Sequence, residues 1–536
     1  MIKQIYDRLS EPGEYDAVIL SLIVFCTAIV TRLAHLDAAP FYDELYHVLA
    51  ARSWVESGTL AIADGAYTRS SLYTYLTAWT FDLTGTQTTF MARAPNVLLG
   101  ALLASFAVLW TYTVAGRIAA AVVACLVIFW PSGIMLSQFA RFYAVHGILF
   151  FLASIATYTA FLPGAKWQSR AVMGVTALIC LWGALQFQES TMVGALFLLA
   201  WIGLVVILPA IWQSPYRWIL LAGLAVAGLC VIGAAFGLGI VQNLWTEYRE
   251  TPWDTDPTAY NRIMRDTYPL FWSLTPLLAV AALGQNPRPA GFCIVICTIG
   301  LIIHSFAGVQ NVRYIYYFSP FLFALWGMGI QAVFPTVLAT TQRTIERLVG
   351  SPAPQLLVVS LVTIPLVFAF VVNSAVQRSV KLALGAQAAP FVPRSNWANA
   401  KDRVAELRDG GAVVVTHNDL LAIEMLGGLD LTYSENWLPE MNGEEFAIDP
   451  RTGAPLIAKL SSLELVVKCS QEGVFITDGR WKPPSGFIGF FAIFQIPRVS
   501  YEVEALGPVR LIHWTTDVDH AGRTATCAEN ADLLSR

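Results

Sequence analysis

Apolar stretches long enough to cross a bilayer recur through the first 377 residues of this 536-residue chain. They fall at about 17–36, 96–115, 117–136, 144–162, 171–187, 191–212, 218–240, 269–284, 290–307, 316–335 and 354–377. A helix needs roughly 20 apolar residues to span the hydrocarbon core. Water is absent there, so each stretch is driven into helix, which satisfies its backbone N–H and C=O groups internally. The expected fold is a polytopic α-helical membrane protein of about eleven transmembrane helices. Composition agrees, with 56% of residues hydrophobic and 13% charged, against about a quarter charged in soluble domains. Pro269 and Pro276 interrupt the 269–284 stretch.

Charge in the short loops orients the bundle. Lys3 and Arg8 precede the first stretch, and Arg117, Lys166, Arg170, Arg217, Arg288, Arg343 and Arg347 share its side. Arg141, Arg249, Arg262, Arg265 and Arg313 lie opposite. The modest excess puts the N-terminus in the cytoplasm. The first stretch reads as a retained helix, since no small-residue cleavage site follows it. An odd number of spans then places the 37–95 loop and the region from 378 onward on the extracytoplasmic side. The net charge of −4, with no basic block, argues against a nucleic-acid partner.

Both extracytoplasmic segments are too long to be plain connections. Residues 45–55 and 72–83 have helical apolar spacing, closed by Gly58 and Gly85; Tyr73, Tyr75, Trp79 and Phe81 suit a membrane–water interface. The loop therefore belongs with a transmembrane domain spanning 1–377. Residues 378–536 read as an extracytoplasmic α/β domain: helices at 400–407 and 419–426, strands at 412–416, 463–468, 473–477 and 487–496. No GxGxxG or Walker-type loop points to a nucleotide. Six of the eight cysteines lie in apolar stretches; Cys469 and Cys527 share the polar C-terminal region, where an oxidising compartment favours a disulfide. No CxxC pair suggests a zinc site.

The chemistry concentrates at Asp43-Glu44, just past the first apolar stretch. Two adjacent carboxylates at a membrane mouth are costly unless they face water, a cation or a reaction. Other motifs sit at outer helix ends: Leu72-Tyr73-x-Tyr75 with Ala92-Arg93-Ala94-Pro95, Ser137-Gln138-x-Ala140-Arg141-x-Tyr143, and Val312-Arg313-Tyr314 with Pro320. In order and placement this set resembles the C-type integral membrane glycosyltransferases (GT-C), in the branch holding protein O-mannosyltransferases and the lipid A aminoarabinose transferase. Where the latter carries Lys-Pro-Pro-Leu, this chain has Arg69-Ser70-Ser71-Leu72, keeping the cation and losing the proline stiffening.

The resemblance implies transfer of a sugar from a polyprenyl-phosphate-linked donor to a hydroxyl of a glycan, glycolipid or protein acceptor. It implies a bacterial inner membrane and an active site on the periplasmic side. A hydroxyl is a weak nucleophile and needs a base; Asp43 is the candidate. The lipid phosphate gathers charge as it leaves, which guanidinium forks can meet; Arg69, Arg141 and Arg313 are the candidates. Glu44, His47, Tyr143, His146, Glu189 and Tyr314 are candidates for substrate binding or support. The plain alternative for each arginine is snorkelling to lipid headgroups. Asp43 and Glu44 are hard oxygen ligands, but without a further clustered carboxylate no obligatory divalent metal is expected. Two other functions compete: a transporter or flippase of lipid-linked sugars, against which no internal repeat is visible, and a non-catalytic assembly subunit.

Overall fold

The computed structural model describes residues 15–67, 69–239, 242, 256–307, 309–386, 396–435, 446–478, 481–483 and 486–517. Lys3, Arg8, Arg249 and Cys527 lie outside the described residues. The chain divides into two compact units, Met1–His35 with Arg93–Ala389, and Leu36–Ala92 with Pro390–Arg536. The 37–95 loop, assigned from sequence to the membrane part, is thus grouped by its contacts with the C-terminal region.

The first unit is helical throughout its described secondary structure. Six helices are long and apolar enough to cross a membrane: Thr89–Ala115, Tyr143–Ala160, Trp167–Phe187, Thr191–Gln213, Pro287–Ser305 and Ser319–Val349. Three more candidates are bent pairs: Arg117–Ile128 with Pro131–Ser137 (54°), Ala259–Thr267 with Pro269–Gln285 (106°), and Gln355–Val371 with Ser374–Ala383 (59°). Counting each pair once gives up to nine spans among the described residues. Every apolar stretch read from the sequence does coincide with a helix. The higher sequence count includes Asp16–Arg32, which has 17 residues, and the Arg217–Gly237 helix. Proline opens the second helix of two of the bent pairs, at Pro131 and Pro269, where a missing N–H costs nothing.

Aromatic rings fill the centre of this unit. Trp110 stands edge-on to Phe151, Phe292 and Phe321, arrangements favoured by the ring quadrupole. Gly327 allows two helices to touch, since a Cβ there would lie 2.7 Å from the Ala119 carbonyl oxygen. Beside it the Gln331 side chain accepts the Ala119 N–H at 2.9 Å and donates to the Ala115 carbonyl. Leu178, Ile179 and Trp182 stay exposed on the Trp167–Phe187 helix, the face a lipid-contacting helix shows.

The second unit carries the sheet. In the loop, helix Tyr42–Ser57 is followed by a short hairpin, β1 (Ala61–Ile62) and β2 (Gly65–Ala66), and by helix Ser71–Thr84. Gly58 and Gly85 end the two helices with φ of 75° and 64°, left-handed positions that favour glycine. The C-terminal part contributes β3 (Val413–Thr416), β4 (Leu431–Tyr433), β5 (Phe446–Ile448), β6 (Pro455–Ile457), β7 (Glu472–Asp478), β8 (Val499–Leu506) and β9 (Val509–Thr516). They form one sheet ordered β5-β6-β4-β3-β7-β9-β8. Strands β6, β4, β3 and β7 run parallel, and β5, β9 and β8 pair antiparallel at the edges.

Two strand expectations are corrected. Residues 463–468 belong to the Leu460–Cys469 helix, burying Leu463, Val466 and Val467; that spacing is helical, and the β-branched pair obscured it. Residues 487–492 fall in the Gly486–Ala492 helix, with Phe490 buried and Ile488 exposed. Leu45, Tyr46, Ala50 and Ile62 from the loop share one apolar cluster with Trp397, Leu420, Leu421 and Val474. Loop and C-terminal segment therefore bury a common core.

Candidate active site

The acidic pair begins the Tyr42–Ser57 helix, where unpaired N–H groups attract negative charge. The Glu44 carboxylate is fully buried and accepts the Phe41 N–H at 2.8 Å. It is spent on the helix start. Asp43 is half-buried. His47, one turn on, is buried; its Nδ1 lies 3.0 Å from the Thr74 hydroxyl and 2.8 Å from that of Tyr67. It ties the two loop helices together. Arg69 is exposed, with its guanidinium carbon 4.7 Å from the Tyr46 ring centroid, within cation–π range.

Beside Asp43 lies a cluster that the motifs did not reveal. Arg451 donates to the hydroxyl of Tyr42 at 2.7 Å and to that of Tyr46. It also pairs with Asp419 at 2.9 Å and with Asp449. Tyr42 in turn donates to Asp419 at 2.9 Å. Burial, followed by the Asp419 charge, holds the Tyr42 phenol well above its ordinary pKa, so it remains a donor. Burial likewise raises the Asp419 carboxyl, opposed by Arg451.

The remaining candidates lie in the first unit. Asn96 clips the turn before the Tyr143–Ala160 helix by donating to the carbonyls of Phe139 and, at 2.8 Å, Arg141. The Arg141 guanidinium then sits 5.0 Å from the Phe142 ring and 5.7 Å from the ring of buried Tyr143. Arg313 lies over Tyr314 at 5.1 Å and donates to its hydroxyl at 3.2 Å. The Val312–Ile315 helix that carries both packs against Pro131–Ser137, the segment leading into Arg141, and Tyr316 stacks on Trp130 at 4.7 Å. His146 is buried, its Nε2 2.9 Å from the Thr191 hydroxyl. Its ring lies 5.0 Å from that of Tyr317, whose hydroxyl is 3.0 Å from His304 Nε2. Glu189 is exposed in the turn before Thr191. Among the described residues no group of three or more His, Cys, Asp or Glu is placed to hold a metal.

A cavity of about 600 Å³ lies among the helices from Ala259 to Val349, with Asn261 and Arg265 as polar lining and Ile294, Leu301, Ile302 and Leu322 as apolar lining. Its size falls in the range of small-molecule and lipid sites.

No family model and no curated protein sequence matches the chain. Solved structures do. ArnT from Cupriavidus metallidurans bound to undecaprenyl phosphate superposes with a TM-score of 0.57 at 14% identity, over 96% of this chain and 100% of that one. The oligosaccharyltransferase AglB from Archaeoglobus fulgidus in its apo form gives 0.59 at 13% identity, over 87% and 70%. AglB with an inhibitory peptide and a dolichol-phosphate gives 0.56 at 12%, over 86% and 69%. The chain shares its fold with ArnT and AglB. With the apolar helices, that fold makes this an integral membrane protein.

Proposed function

We propose that the protein is a glycosyltransferase that moves a sugar from a polyprenyl-phosphate-linked donor to an acceptor hydroxyl on a glycan, glycolipid or protein. Asp43 takes the acceptor proton as the new bond forms, and Arg69, Arg141 and Arg313 stabilise the departing lipid phosphate. The reaction runs on the extracytoplasmic face of a bacterial inner membrane, without an obligatory metal.

The observation that carries the reading is the division of labour within the acidic pair. Glu44 accepts the Phe41 N–H at the start of its own helix, and half-buried Asp43, one residue earlier, is the carboxylate to which this reading gives the proton transfer. A general base contributes about 10²–10⁴ to a rate. Support also comes from the lipid phosphates printed for the fold neighbours, undecaprenyl phosphate for ArnT and a dolichol-phosphate for AglB.

The test is consumption of a panel of undecaprenyl-phosphate sugars by purified protein, with release of undecaprenyl phosphate. Asp43→Asn should abolish consumption while protein yield and undecaprenyl phosphate binding persist. Full activity in that variant would overturn the assignment.

A further inference from the structure

The Tyr42–Ser57 helix is attached to the C-terminal segment by apolar packing of Leu45, Tyr46 and Ala50. Such packing is non-directional and tolerates small rotations about the helix axis. Side chains leave a helix about 100° apart per residue, so any rotation carries Asp43 with it. A directional device opposes this. Tyr42 and Tyr46, four apart on one helix face, both take a hydrogen bond from the same nitrogen of Arg451. The other guanidinium nitrogens are held by Asp449 at 3.0 Å and Asp419 at 2.9 Å.

The Arg451 turn is itself anchored by the loop it braces. Ala66 N–H donates to the Pro450 carbonyl at 2.8 Å, and Asp64 N–H to that of Thr452 at 3.2 Å. A Cβ on Gly65 would run into the Arg451 backbone, so glycine permits the approach. At the far end of the helix, Arg52 makes a two-pronged bond to Glu424. Two carboxylates against one guanidinium leave the Arg451 cluster with a formal charge of −1. The Arg451 guanidinium carbon lies 5.9 Å from the Tyr46 ring centroid, and that of Arg69 lies 4.7 Å from it.

We propose that Arg451 is a positioning residue for the first-loop site: through Tyr42 it sets the direction of Asp43, and through Tyr46 it sets the ring on which Arg69 rests. A lysine could not substitute, because the role needs a planar fork meeting four partners. The effects on turnover and on lipid phosphate binding rest on the function proposed above; the effect on loop order does not.

The experiment uses full-length protein in nanodiscs with three readouts: hydrogen–deuterium exchange of residues 41–57, affinity for undecaprenyl phosphate, and turnover of the sugar donor. Tyr42→Phe should lower kcat about tenfold or more, as misplacement of a reacting group does, leaving undecaprenyl phosphate affinity unchanged. Tyr46→Leu removes the ring under Arg69 and should weaken that affinity about tenfold. Arg451→Gln should do both and speed exchange in 41–47, with β3 and β4 still protected. Arg451→Lys, which keeps the charge and guards against misfolding of the glutamine variant, should follow Arg451→Gln in direction. Unchanged exchange and affinity in both Arg451 variants would overturn the proposal. Wild-type protein that binds undecaprenyl phosphate but turns over no donor would instead remove the transferase reading and leave the brace standing.

Discussion

Asp43 and Glu44 are adjacent carboxylates in the sequence, yet they sit in different environments. Glu44 is buried and bonded to the Phe41 N–H. Glu44→Ala would leave that donor uncapped at a helix start, costing about 1–2 kcal/mol; a lowered melting temperature checks it. Asp43→Asn should instead leave thermal stability near wild type and reduce kcat by about 10² or more. The two variants thus separate stability from chemistry, and a reversal of the two outcomes would reassign the roles. The acidic pair stood out in the sequence because its position at a membrane mouth is costly without a purpose. Arg451 was not, because its bond to Tyr42 joins residues 409 positions apart and no short motif encodes it. Nor did any pattern reveal that His146 meets Thr191.

At the scale of elements, long periodic or apolar segments were read correctly and short mixed ones were not. The loop helices were signalled by their spacing and by Gly58 and Gly85, and β3 by its valine run. The 463–468 segment misled because Val466-Val467 favours strand locally while Leu460, Leu463 and Val467 follow a helical face. β8 and β9 were missed, although Val499, Tyr501 and Val503 alternate before a Gly507 turn at φ 66°. His417 follows β3 directly and stacks on Trp481 at 4.9 Å. Burial pulls its pKa down to about 4 from 6.5, against the opposing charge of Asp478. A depressed histidine is neutral when folded and takes up its proton on unfolding, so stability is lost as pH falls from about 6.5 to 4. Its size is about 3 kcal/mol. Denaturation followed by tryptophan fluorescence across that range should show the loss, and His417→Asn should flatten it. Between two membrane helices, Gly327→Leu should be poorly tolerated, since even a Cβ would crowd the Ala119 carbonyl. Overpacking of this kind typically costs about 1–3 kcal/mol, read as a lower melting temperature in detergent.

At the scale of the whole molecule, the architecture survives at 12–14% identity to its solved neighbours. Apolar periodicity and a few polar helix ends carry it, and many sequences satisfy those demands. The span count was the least legible part, because helices such as Asp16–Arg32, at 17 residues, lie near the length a bilayer requires. Cys469 is disulfide-bonded, and six other cysteines are free thiols in apolar helices. Thiol counting on unreduced, denatured protein should therefore find six rather than eight, and eight would remove the bond. A divalent cation wants several hard oxygens at once, but Glu44 is committed to the Phe41 N–H, and Asp419 and Asp449 are committed to Arg451. Recruiting any of them would uncap a helix or strand a buried guanidinium, and stranding a buried charge costs about 3–5 kcal/mol. On the proposed reaction, charge on the departing phosphate then falls to guanidinium groups, which need no metal to act. Protein stripped with EDTA and assayed in metal-free buffer should keep its donor turnover, and added magnesium or manganese should not raise it. Loss of turnover on chelation, restored by either ion, would show that a cation supplies what is here assigned to Arg69, Arg141 and Arg313.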